Sequence, residues 1–292
     1  MVDCRLGSET NRAPLRFDSF LARAARLESA HRLLVPPEVQ TVKNTFLLAA
    51  ALCLSASTSS LFAADEPAAP KPGSQTAETL DVKVPVRLQY LLYVPKDYDK
   101  SKPTPLMLFL HGAGERGTDV NKVKIHGPPK LIAAGKEYPC IVVSPQCPAD
   151  RWWQPLELLA LLDDLNTKFN IDPERVYVTG LSMGGFGTWE LATIAPRRFA
   201  ALAPICGGAE AFWAKQIAHI PTWVFHGDKD AAVPLVRSEI MVAALKKAGA
   251  EPTFTVYEGV GHDSWTATYD DPKFYEWLFA QTRQEPKPNP KK

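Results

Sequence analysis

A chain of 292 residues can hold one large domain plus tails and bury an ample core, and 46% hydrophobic with 22% charged residues is ordinary for a globular protein. A formal net charge of +1 supplies no basic field, which argues against nucleic acid or acidic membrane surfaces as partners. There is no C-x-x-C or H-E-x-x-H spacing, the six histidines are scattered and no repeat recurs, so neither a metal nor a cofactor is expected.

The first residues are Arg-rich and lack a clean period. Lys43-Asn44, the apolar run Phe46 to Leu54, a Ser/Thr patch and Leu61-Phe62-Ala63-Ala64 then have the order of an export signal, with cleavage near Ala63 or Ala64. The apolar run is too short for a bilayer span. A signal preceded by about 40 residues is read as a start near Val42. Residues 1–64 are therefore taken as extension plus signal, and 65–78, rich in Ala and Pro, as linker. Residues 79–284 are taken as the folded domain, and the Pro/Lys-rich 285–292 as a disordered tail. The expected destination is periplasmic or extracellular; oligomeric state is left open.

Within the domain, Val82-Lys83-Val84 and Leu88 to Val94 read as early strands. The continuous apolar runs Pro105 to Leu110 and Cys140 to Ser144 read as buried parallel ones. A short helix should end near Ala134, and Pro155 to Phe169 carries apolar residues at helical spacing with Pro in the first turn. Val176 to Thr179 is a strand running directly into Gly180-Leu181-Ser182-Met183-Gly184-Gly185 and a helix-compatible stretch. Ala201 to Ile205, Trp223 to Phe225 and Thr253 to Tyr257 are further strands. Helices are expected at Phe212 to His219, Arg237 to Ala248 and Phe274 to Gln281. Strands alternating with helices argue an α/β fold, a mainly parallel sheet flanked by helices, with ligands at the carboxyl ends of the strands.

The residues of chemical interest fall at those ends. G-x-S-x-G between a strand and a helix makes a tight elbow that exposes one hydroxyl, with Gly180 and Gly184 flanking because a Cβ there would collide with its surroundings. A serine hydroxyl needs a base, and the base needs an orienting carboxylate. His226-Gly227-Asp228-Lys229-Asp230 follows one later strand and Gly261-His262-Asp263 the next. The reading is Ser182 as nucleophile, His262 as base and Asp230 as orienting acid, with Asp228 read as capping its own turn. His226 and His111 are read as shaping turns. An oxyanion would be held by the N–H groups of Met183 and of Ala113, the latter in His111-Gly112-Ala113-Gly114 after an early strand.

The run from Leu88 to Gln281 resembles the α/β-hydrolase superfamily. His111 to Gly117, Ser144-Pro145-Gln146-Cys147-Pro148 with Trp152-Trp153, and Gly180 to Gly185 are similar to a bacterial group. That group is described variously as phospholipase/carboxylesterase-like, predicted peptidase, and carbohydrate- or feruloyl-esterase-like. The resemblance implies a serine carboxylesterase. It departs from dienelactone hydrolases, similar in fold, in having serine where they use cysteine. Gly207 to Ile220 has room for one short helix, so no large cap is expected and the site should admit bulky or polymer-borne esters. Trp152, Trp153, Trp265 and Glu115 are candidate substrate contacts, against ordinary packing. The alternatives are a serine peptidase of the same fold and a non-catalytic binding protein on a hydrolase scaffold. Of five cysteines, Cys147 and Cys206 both follow strands and form the one candidate bridge.

Overall fold

The computed structural model describes residues 79–286, with 72, 73, 75 and 77 ahead of them. The expected signal, its cleavage site, Cys4, Cys53 and most of the linker and tail lie outside the described residues. A compact unit runs from Thr79 onward.

Its centre is a seven-stranded sheet. The strands are β1 (Tyr90–Tyr93), β2 (Thr104–Leu110), β3 (Ile141–Pro145), β4 (Ile171–Leu181), β5 (Ala201–Ile205), β6 (Trp223–Gly227) and β7 (Thr253–Tyr257). They lie in the order β1-β3-β2-β4-β5-β6-β7, with β1 antiparallel to β3 and every other pair parallel. Strand side chains alternate between faces, and β2 shows the result. Leu106, Leu108 and Leu110 join one core cluster while Met107 and Phe109 join the other. The first cluster is covered by α2 (Pro155–Lys168), α3 (Met183–Ile194), the single turn α4 (Ala214–Ile217) and α5 (Val236–Lys247). The second is covered by α6 (Trp265–Asp270) and α7 (Pro272–Phe279), with α1 (Gly127–Ala133) beside them. Buried on both faces, the inner strands read as unbroken apolar runs.

Two expectations need correction. Val82 to Val84 is not a strand: Leu80, Val82 and Val84 are all exposed, and β1 already occupies that edge of the sheet. The short helix closes as expected, with Ala134 as its C-cap, and it starts at Gly127, with Pro128 and Pro129 in a first turn where no intrahelical N–H bond is lost. Cys147 and Cys206 are free thiols, as is Cys140. Cys147 packs in one core cluster and Cys206 in the other. Their strands, β3 and β5, are separated by β2 and β4, or about 14 Å at the usual strand spacing, so no bridge can span them. Among the described residues no helix is long and apolar enough to cross a membrane.

Candidate active site

Ser182 stands between the end of β4 and the start of α3 with φ 52° and ψ −117°, a backbone conformation that side chains other than glycine rarely adopt. The packing around it leaves little choice. A Cβ on Gly184 would lie 1.9 Å from the Leu110 carbonyl oxygen, and one on Gly180 2.4 Å from that of Gly184. Both glycines are required by close backbone approach. The Ser182 N–H donates to the Ile205 carbonyl at 3.0 Å, tying the elbow to β5.

The loops after β6 and β7 are locked together in the same way. A Cβ on Gly227 would meet the carbonyl oxygens of Gly261 and Val260 at 2.3 Å. Lys229 N–H donates to Val260 O at 2.9 Å, and Gly259 N–H to Asp228 Oδ1 at 2.7 Å. Asp228 thus caps the neighbouring turn, where Gly259 has φ 74°. Asp230 faces inward. Its Oδ1 accepts from the N–H groups of Ala232 (2.9 Å) and Val233 (2.8 Å), and its Oδ2 lies 2.7 Å from His262 Nδ1. His262 Nε2 lies 2.9 Å from Ser182 Oγ. Three loops therefore bring hydroxyl, imidazole and carboxylate into one hydrogen-bonded line. Burial works to raise the Asp230 carboxyl pKa, but the His262 bond and the Val233 and Ala232 N–H groups outweigh it, so the net shift is downward.

The opposite side of Ser182 is formed by the loop after β2. A Cβ on Gly112 would lie 3.6 Å from that of Ser182, so the two loops are in contact. Ala113 opens a short 3-10 turn and Met183 opens α3. As first residues their N–H groups have no acceptor within their own helices, and neither finds one elsewhere among the described residues. The loop is anchored by His111, whose Nδ1 lies 2.6 Å from Gly112 O while its Nε2 accepts from Cys147 N–H at 2.9 Å. Burial lowers the His111 pKa to about 4, which keeps it neutral in this role.

The candidate substrate contacts separate. Trp152 is 46% exposed and its ring meets that of Phe186 at 6.1 Å. Trp153 is 2% exposed, donates its indole N–H to His111 O at 3.2 Å and packs tilted against the His111 ring, with centroids 4.8 Å apart. With no free face, it supports the loop from within the core, which corrects its expected place on the rim. Trp265 packs edge-on against His262 at 5.1 Å and against His126 at 5.3 Å. The Glu115 carboxylate is buried, 3.8 Å from His111 Nδ1 and 3.7 Å from His126 Nε2, and its Oε2 has no hydrogen-bond partner.

Several neighbours were not legible as site residues. His226, besides bonding Val233 O (2.8 Å) and Ser238 Oγ (2.8 Å), places Nε2 3.2 Å from Asp230 Oδ2. Facing a carbonyl and a carboxylate, that nitrogen carries the hydrogen and helps hold the acid. Cys206, also at positive φ (41°), has its sulfur within 4.8 Å of a carboxylate oxygen of Asp230 and a ring nitrogen of His262. Phe186, one turn beyond Ser182, lines a cavity of about 500 Å³ with Trp152, Ile194, Trp213, Glu190 and Arg237. A second cavity, of about 460 Å³, lies by Pro221-Thr222 and Pro252, ahead of β6 and β7 and so at the opposite end of the sheet.

The sheet order, the tight elbow and the loops around it are those of the α/β-hydrolase fold. More narrowly, residues 154–276, less than half of the chain, match the Dienelactone hydrolase family. A solved thermostable esterase is 37% identical with a TM-score of 0.60, over 70% of this chain and 61% of that one. The poly(3-hydroxyalkanoate) depolymerase C of Paucimonas lemoignei is 28% identical over 57% of this chain and 40% of its own length. The poly(3-hydroxyoctanoate) depolymerase of Pseudomonas fluorescens is 29% identical over 47% of this chain and 58% of its own. The chain thus spans about half the length of these two relatives.

Proposed function

We propose that the protein is an exported serine carboxylic-ester hydrolase that forms an acyl-enzyme on Ser182. The observation that carries this reading is the unbroken line from Asp230 through His262 to Ser182 Oγ, with contacts of 2.7 and 2.9 Å. Asp230 accepts the proton-bearing Nδ1 of His262, so Nε2 is left unprotonated toward the hydroxyl and can take its proton as Oγ attacks the ester carbonyl. Negative charge on that oxygen is received by the N–H groups of Met183 and Ala113. His262 then returns the proton to the departing alcohol, and water repeats the sequence to release the acid.

Bulky, aromatic or polymer-borne esters suit the site. Between β5 and β6 the chain makes only a 3-10 turn (Ala211–Trp213) and the single turn α4, which is too little to form a lid. The aromatic cavity begins one helical turn from the nucleophile. The likeness to an esterase and to two polyester depolymerases supports the same class.

Turnover of p-nitrophenyl acetate, of a larger aromatic or feruloylated ester and of a peptide anilide tests the reading. The expected order puts both esters far above the anilide; preference for the anilide would make the protein a peptidase. Trp152→Ala should raise KM for the larger ester about tenfold, the scale of one lost aromatic contact of ~1.4 kcal/mol, and change acetate turnover far less. An equal effect on both substrates would remove Trp152 from the binding surface.

A further inference from the structure

We propose that the triad is also a binding site for a thiophilic divalent cation of the zinc class, and that its occupancy switches hydrolysis off. Cys206 Sγ, a carboxylate oxygen of Asp230 and a ring nitrogen of His262 all lie within 4.8 Å of one another. Thiolate, imidazole and carboxylate together select a borderline-soft ion such as Zn²⁺ over Mg²⁺ or Ca²⁺, and three protein ligands leave a fourth position for water. Ligand atoms about 2.0–2.3 Å from a tetrahedral zinc stand about 3.3–3.7 Å apart. The thiol must therefore close in by about an ångström or less, and the 2.7 Å contact between His262 and Asp230 must open slightly.

The thiol is held in place through its backbone. Cys206 is held at φ 41° although glycines follow it at 207 and 208, and its N–H is fixed to Phe225 O at 2.8 Å. Strain of this kind persists only where the surroundings over-determine it. The three ligands come from the ends of the adjacent strands β5, β6 and β7. On binding, the thiol proton leaves to solvent, the ring hydrogen of His262 moves from Nδ1 to Nε2, sulfur, Nδ1 and a carboxylate oxygen each donate a lone pair, and nothing is oxidised or reduced. Ser182 is then without its base. The inhibitory consequence rests on the proposed role of His262; the binding does not.

The two are tested separately on the full chain. Titration with Co²⁺ alone should produce a sulfur-to-cobalt charge-transfer band in the near ultraviolet. Cys206→Ser and Cys206→Ala should lose it, and so should His262→Gln, which leaves every cysteine in place. Zn²⁺ should inhibit ester turnover reversibly on adding EDTA. Both cysteine variants, each measured against its own uninhibited rate, should need at least about tenfold more Zn²⁺ for the same inhibition. A band that survives in all three variants, or Zn²⁺ inhibition unchanged in both cysteine variants, overturns the proposal. A Cys206-dependent band in a protein that hydrolyses no ester would uphold the binding site and defeat the switch together with the esterase reading.

Discussion

Replacing Ser182 by alanine is expected to lower ester turnover by on the order of 10³-fold or more while the protein stays folded. The reason is local. Its hydroxyl makes one side-chain contact, to His262 Nε2 at 2.9 Å, whereas the elbow itself is held by backbone: the Ser182 N–H on Ile205 O and the glycines against Leu110 and Gly184. Alanine keeps all of that, and its Cβ occupies the space the serine Cβ already fills at the same positive φ. Circular dichroism and thermal unfolding should match the parent. The residual rate measures what the two free N–H groups and substrate binding achieve without a nucleophile. His262→Gln should cost a similar factor, and the double variant little more than either single one, because nucleophile and base act as a unit. Full turnover in the alanine variant would mean that the hydrolysis has another nucleophile, and multiplicative losses in the double variant would mean that the two residues act independently.

What could be read in the sequence follows from how far each signal extends along the chain. β2 and β5, buried on both faces, are continuous apolar runs and are legible almost to the residue, while the edge strand β7 shows through its β-branched and aromatic residues instead. The convergence of Ser182, Asp230 and His262 follows a related rule: each comes after a parallel strand, and a parallel sheet gathers those loops at one end. α6 was missed because six residues are too few to display a helical period, and its Ser264 start provides no side-chain cap. Val82 to Val84 was misread because alternation over three residues says nothing about whether a partner strand is available. Trp153 and Glu115 lie beside motif residues, but only packing decides that both turn into the interior. The same holds for His226, Cys206 and the Phe186 wall of the cavity. Their roles depend on distances across β5, β6 and α3, which no local pattern encodes.

Asp230→Asn is the sharper test of the assembled site, and it is expected to lower kcat by about 10⁴-fold with little change in KM. The carboxylate is not free to choose which way its replacement faces. Oδ1 accepts two backbone hydrogens, from Ala232 and Val233, so the amide oxygen must take that position and the NH₂ group must take the position of Oδ2. There it faces His262 Nδ1 at 2.7 Å and the hydrogen-bearing Nε2 of His226 at 3.2 Å. A donor facing Nδ1 makes that nitrogen an acceptor and moves the ring hydrogen to Nε2, pointing it at Ser182 Oγ. The base then has no lone pair for the hydroxyl, although every atom is close to its original place. The second donor, on His226, loses one of its two acceptors, so a modest loss of stability accompanies the change. Asp228→Asn is the control: its Oδ1 caps Gly259 N–H, an amide oxygen can do the same, and turnover should fall severalfold at most. The pH dependence separates the two effects. Because the Asp230 pKa lies below its unfolded value of ~3.9, its stabilising contribution is fully present above that pH and is lost as the pH falls through the folded value. The asparagine variant should lack that component of acid unfolding, while its turnover stays low across the neutral range. A variant that regained full turnover as the pH rose would show that the acid does no more than set the protonation of the ring.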